Sequence, residues 1–146
     1  MGQDFQVARP PDEPWDVAFS LAGTNGEPLG IGFLRDAPRK VRATMQAVLE
    51  AVAEGPPPKF SGALHWQAMH GDMGGIYEVR VKGPDKRLYR LFCLLERNAP
   101  GATAPVLIVL TGMSKPNGTA FSDNEYRRIR RLRDEHVAQD PRRVHL

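Results

Sequence analysis

One cysteine among 146 residues leaves Cys93 nothing to pair with inside the chain. That count excludes an internal disulfide scaffold and a thiolate metal cluster alike. Cys93 also falls within an apolar run, RLYRLFCLLER, where a buried thiol acting as a small hydrophobe is expected rather than a nucleophile. Long apolar stretches are lacking too, since no run approaches the roughly 18 residues that a membrane helix needs. The opening MGQDFQVARPPDEP has no apolar segment of the secretory kind and reads as a flexible, proline-broken lead, so a cytoplasmic location is expected. Histidines are few. His65 and His70 lie five apart without a cysteine beside them, so no metal site is read there and no cofactor is expected; with His136 they read as loop or core side chains.

Net charge is small, +3, yet its distribution is uneven. Up to Met73 there are 6 basic and 9 acidic residues; beyond it there are 14 and 8. A positive second half points to phosphate or an acidic partner, although a solvated arginine-rich helix would give the same count. The length is that of one domain. The expected organisation is a lead over residues 1–13, one domain over 14–140 and a flexible tail over 141–146.

Trp15, Val17 and Phe19 alternate with Asp16, Ala18 and Ser20, which predicts a first strand with one buried face. Asn25-Gly26 marks a turn, and LGIGFLRDAP after it fits either a returning strand or a short helix. Val41, Met45, Val48, Leu49 and Val52 form the apolar stripe of a helix, with Asp36 available as its cap and Gly55 and Pro56-Pro57-Pro58 as its stop. Residues 60–74 read as a connection, with Leu64, Trp66 and Met69 as anchors and room for a helical turn. Residues 76–82 alternate, placing Tyr77, Val79 and Val81 inward and Glu78, Arg80 and Lys82 outward. Residues 88–95 are apolar on both faces, as in a covered central strand, with Arg90 as the exception. Val106 to Leu110 is a third strand, bounded by Gly112. Ser122 and Glu125 make a capping box for a last helix with Tyr126, Ile129, Leu132 and His136 inward and Arg127, Arg130 and Arg131 outward.

The chemistry-bearing group sits on these strands. If Pro84, Asp85 and Lys86 form the hairpin loop, Gly83 pairs with Arg87 and Arg80 lies across from Arg90. The same register stacks Tyr77, Val79 and Val81 on Tyr89, Leu91 and Cys93 as a core. Like charges opposed on a sheet repel unless an anion lies between them. Lys115, beyond Gly112, leans over the same face, so three cations are expected to converge on a phosphate. Crowding by two arginines would lower the proton affinity of that lysine and suit it to acid–base work. Taken singly, each cation is as well explained by a surface ion pair, for instance with Glu78 or Glu96.

In order and spacing, EPLGIGFLRDAPRKVRATMQAVLEAV, HWQAMHGDMGGIYEVRV, RLYRLFCLL and VLIVLTGMSKP with the Glu125 helix resemble the RelE/ParE superfamily of bacterial toxins, most closely its phage-derived, HigB-like branch. The resemblance spans residues 14–136. It implies an α+β fold: a small antiparallel or mixed sheet, N-terminal helices on one face, and a C-terminal helix. It implies a metal-independent, ribosome-dependent mRNA endoribonuclease in which a 2′-hydroxyl attacks the adjacent phosphate. Arg80, Arg90 and Lys115 would then be catalytic, with Tyr126 as a further candidate because GMSKPNGTAF holds one lysine where the branch carries two. Lys82, Arg87, Arg127, Arg130 and Arg131 would contact RNA or the ribosome. The implied partners are mRNA on the ribosome and a cognate antitoxin of the helix-turn-helix kind, with no membrane and no small-molecule cofactor. Two alternatives remain: a ParE-like inhibitor of a protein such as gyrase, and a decayed prophage nucleic-acid-binding protein. Cations paired with carboxylates or split between faces would favour inhibition or a structural role.

Overall fold

The computed structural model describes residues 14–55 and 65–146; the lead over 1–13, the prolines at 56–58 and Leu64 lie outside them. The fold is α+β. A six-stranded mixed sheet runs in the order β2-β3-β4-β5-β1-β6. Its strands are β1 (Asp16–Ser20), β2 (Trp66–Ala68), β3 (Tyr77–Lys82), β4 (Arg87–Glu96), β5 (Val106–Pro116) and β6 (Val144–His145). Helices α1 (Leu29–Asp36) and α2 (Arg39–Glu54) follow β1, and α3 (Asp123–Val137) follows β5. β1 runs parallel to β5, and the other pairings are antiparallel.

The two sheet faces carry separate cores. Val79, Val81, Tyr89, Leu91, Cys93, Leu107 and Val109 meet the α2 stripe of Val41, Met45, Leu49 and Val52. On the opposite face Ala18, Phe92, Leu94, Val106, Ile108 and Leu110 pack with Ile129 of α3. β1 is therefore covered on both sides, with Ala18 and Ser20 fully buried, and its alternation does not mark one solvated face.

The ambiguous LGIGFLRD segment is helical, and its glycines are what let it lie on the sheet. A Cβ at Gly30 would come within 2.6 Å of Val109 Cγ1, and one at Gly112 of β5 would collide with the Phe33 ring. Gly112 thus does not stop β5, which continues to Pro116 and carries Lys115 as a strand residue. Asp36 ends α1 instead of capping α2, whose N-cap is Pro38 without a side-chain hydrogen bond. The connection after His65 contains strand β2 and a 3-10 turn over Gly71–Met73. The capping box forms as read: Ser122 accepts from Glu125 N–H at 3.2 Å and its own N–H donates to Glu125 Oε1 at 2.9 Å.

The C-terminal residues are not a free tail. β6 pairs with β1, and Leu21 N–H donates to the Arg143 carbonyl at 2.9 Å. Beneath them His136, fully buried, sits between Ser20 Oγ at 2.8 Å and Glu96 Oε1 at 2.6 Å. The carboxylate can only accept, so Nε2 carries the proton and Nδ1 accepts from the Ser20 hydroxyl. Burial lowers the His136 pKa, against the opposing pull of Glu96. Arg142 holds the second Glu96 oxygen at 3.2 Å, tying the end of the chain to β4.

Candidate functional site

The hairpin has the register that its loop length implies. Gly83 N–H donates to the Arg87 carbonyl at 2.8 Å, and Arg80 is the cross-strand partner of Arg90. Met113 continues that row, and Lys82, Leu88 and Lys115 form the next. Side chains alternate along a strand, so Arg80, Lys82, Arg90 and Lys115 share the face that α3 covers only in part. Arg80 and Lys82 are exposed.

Their company differs from the expected cluster of free cations. Arg90 is buried, and its guanidinium is occupied: Nε and Nη2 both lie 2.5 Å from Glu78 Oε2, while Nη1 donates to the Tyr126 hydroxyl at 3.3 Å. The Phe121 ring lies 4.3 Å from its Cζ, with Phe92 at 5.4 Å and Tyr126 at 5.7 Å. Glu78, read as outward, is buried like Arg90, whose guanidinium it meets from the diagonal position on β3. Two charges removed from water together need this degree of hydrogen bonding. Arg90 is thus matched to its own carboxylate and is not a phosphate ligand in this state.

Lys115 is also paired. Its ammonium contacts the Glu125 carboxylate and donates to the Ala120 carbonyl at 3.3 Å, with the Phe121 ring 5.3 Å away. The lysine hydrogen bond, and behind it the Ser122 N–H, pull the Glu125 pKa below its ordinary value. The expected crowding of Lys115 by two arginines is replaced by neutralisation from Glu125. Among the described residues, Arg80 and Lys82 are the cations of this face without a carboxylate.

The remaining RNA-contact candidates are divided. Arg87 lies on the opposite face, where Nε and Nη2 donate to Ser114 Oγ at 3.1 Å and Ser114 O at 3.0 Å. Arg130 is half-buried against Met73, 3.5 Å from its sulfur, so it is not a free outward charge. Arg127 and Arg131 are exposed as expected, and Arg128 joins them in one stripe along α3.

Sequence reasoning passed over one further residue. Arg80 N–H donates to the His65 carbonyl at 2.8 Å, and His65 Nδ1 lies 2.8 Å from the Arg80 carbonyl. The two residues are clasped, and the ring lines an open cleft of about 630 Å³ at the edge of β3 with Lys40, Thr44, Gln67, Arg80 and Lys82. A lone histidine in a connection carries no periodic signal, so its neighbour could not be foreseen. Among the described residues no group of three His, Cys, Asp or Glu side chains is placed to hold a metal ion.

No family model matches the sequence, and no curated protein does. Among solved structures, the toxin–antitoxin complex RelBE2 from Mycobacterium tuberculosis contains a chain similar to this one, with a TM-score of 0.45 at 13% identity, covering 72% of this chain and 95% of that one.

Proposed function

We propose that the protein is a toxin of the RelE/ParE kind that holds the phosphate backbone of mRNA on its cationic sheet face and cleaves it on the ribosome. The observation that carries this reading is the placement of Arg80 and Lys82: two exposed cations on the part of the face that α3 leaves open, with no carboxylate partner among the described residues, in the rows of Arg90 and Lys115. The order of sequence motifs and the charge surplus of the second half support it.

Cleavage requires a phosphate held in line and charge stabilised while a 2′-hydroxyl attacks the adjacent phosphorus. Arg80 presents a planar fork suited to two phosphate oxygens, and Lys82 adds a mobile point charge. Lys115, offset by Glu125, contributes less. Arg90 acts as a positioning residue: it fixes the Phe121 and Tyr126 rings, and the Tyr126 hydroxyl oxygen accepts its N–H, leaving the phenolic proton available to substrate. Arg127, Arg128 and Arg131 provide a separate basic stripe for ribosomal RNA. A cognate antitoxin that covers the sheet face would silence the protein.

The Glu78–Arg90 and Glu125–Lys115 pairs favour a second reading, inhibition of a protein target through the same face without catalysis. Inducible expression in a bacterium separates the two, with wild type, Arg80→Ala and Arg87→Ala followed by growth and by mRNA 5′ ends. Arrest with new cuts that vanish in Arg80→Ala and persist in Arg87→Ala supports cleavage. Arrest without cuts transfers the assignment to inhibition. For RNA binding in vitro, Arg80→Ala should lower the slope of log affinity against log salt by about 1, and Arg87→Ala should leave it unchanged.

A further inference from the structure

We propose that His65 is the general base of this site, and that the scissile phosphate lies in the cleft at the β3 edge rather than over Arg90. The inference rests on the cleavage reading and supplies the group that reading lacks. Of the cations first assigned there, Arg90 is consumed by Glu78 and Lys115 by Glu125, so neither is a proton acceptor. The lowered pKa of Glu125 makes that carboxylate a poor one as well.

His65 has the geometry of a positioned base. A carbonyl oxygen can only accept, so the 2.8 Å contact to the Arg80 carbonyl places the proton on Nδ1. In the neutral ring Nε2 then carries the lone pair, and no group among the described residues bonds to it. The clasp is reciprocal, because the Arg80 N–H binds the His65 carbonyl. The residue whose guanidinium binds phosphate is thus also the residue whose backbone orients the imidazole.

The surroundings fit a phosphodiester. Lys40 comes from the first turn of α2 and Arg80 and Lys82 from β3, while Thr44 and Gln67 supply neutral hydrogen-bonding groups. Among the described residues that line the cleft there is no carboxylate; Glu78, on the same strand, is turned to Arg90. Leu88 lies on the α3 side of the sheet and Lys40 on the α2 side, so the cleft wraps the strand edge and continues the face that bears Arg80 and Lys82.

The step balances without a co-reactant. His65 Nε2 takes the 2′-hydroxyl proton, the 2′-oxygen forms a bond to phosphorus, and the bond from phosphorus to the 5′-oxygen breaks with its electron pair going to that oxygen. The departing oxygen takes a proton from water, and the imidazolium returns its proton to water. A 2′,3′-cyclic phosphate and a 5′-hydroxyl remain.

The test is His65→Asn, whose side-chain amide can still donate to the Arg80 carbonyl while the basic nitrogen is gone. Programmed ribosomes with a defined mRNA give the cleavage rate, and the purified variant gives its RNA affinity and melting temperature. Cleavage should fall at least about a hundredfold, the acidic limb of the wild-type pH profile should disappear, and affinity should stay within about twofold. Lys40→Ala should instead weaken binding and leave the shape of the pH profile intact. A His65→Asn protein that cuts at the wild-type rate overturns the assignment of the base alone. A wild type that cuts nothing overturns this assignment together with the cleavage reading.

Discussion

Glu78→Gln is the most informative single change, because it removes the charge that keeps Arg90 in the interior. The two side chains are 7% and 9% exposed, and both nitrogens that face Glu78 lie 2.5 Å from one oxygen. Breaking one partner of such a buried pair costs about 3–5 kcal/mol. The rings of Phe121 and Tyr126 still shelter the cation, worth about 1 kcal/mol, so a loss near ~3 kcal/mol is expected. For a chain of this size that lowers the melting temperature by about 10 °C. Urea unfolding gives the free energy directly. Glu78→Leu combined with Arg90→Met removes both charges and should return to within about 1 kcal/mol of wild type, since the desolvation cost disappears with the attraction. The same double variant should bind RNA with an unchanged salt slope, because Arg90 holds protein rather than phosphate. A loss below about 1 kcal/mol for Glu78→Gln, or a double variant no more stable than the single one, would refute the buried clamp. A salt slope lowered by about 1 in the double variant would return Arg90 to the list of phosphate ligands.

Burial lowers the His136 pKa, so on acidification the unfolded chain binds a proton before the folded one does. Stability from this group is complete above the ordinary imidazole range, near about 6.5, and is lost as pH falls below it. Urea midpoints compared between about pH 7.5 and 5.5 should drop more for wild type than for His136→Gln, and equal drops would contradict the assignment. Burial pushes the Cys93 thiol far above its usual range, so alkylating reagents should label it only after urea unfolding; rapid labelling of the native protein would contradict its placement. Gly112→Ala should destabilise by about 1–3 kcal/mol because the new methyl meets the Phe33 ring of α1, and Phe33→Ala in the same chain should recover part of that loss.

How much of this was legible in the sequence follows from which forces act locally. The α2 stripe, the capping box at Ser122 and the Arg80–Arg90 register are set by periodicity and by a short loop, and each could be read along the chain. Alternation assigns a residue to a face, but it does not say whether that face is covered. Glu78, Arg80 and Lys82 therefore looked equivalent, although Phe121 and Tyr126, more than forty residues beyond Glu78, lie against Arg90, which holds Glu78 in the interior, while the other two stay in water. Gly112 looked like a strand terminator because its role is to admit Phe33, a contact between segments distant in sequence. β6 has two residues, too few for any period to show.

The same limit governs the site. Counting cations finds Arg80, Arg90 and Lys115, but charge that the fold has already neutralised has little to offer a phosphate. A side chain becomes available for chemistry when its own chain leaves a group unsatisfied, and that property belongs to neighbours rather than to residue type. Among the described residues, Arg80 and Lys82 meet the condition through exposure without a carboxylate, and His65 meets it through one nitrogen bound and the other left open. The strand edge, where β2 begins and the Arg80 backbone holds the histidine just before it, is where those conditions coincide.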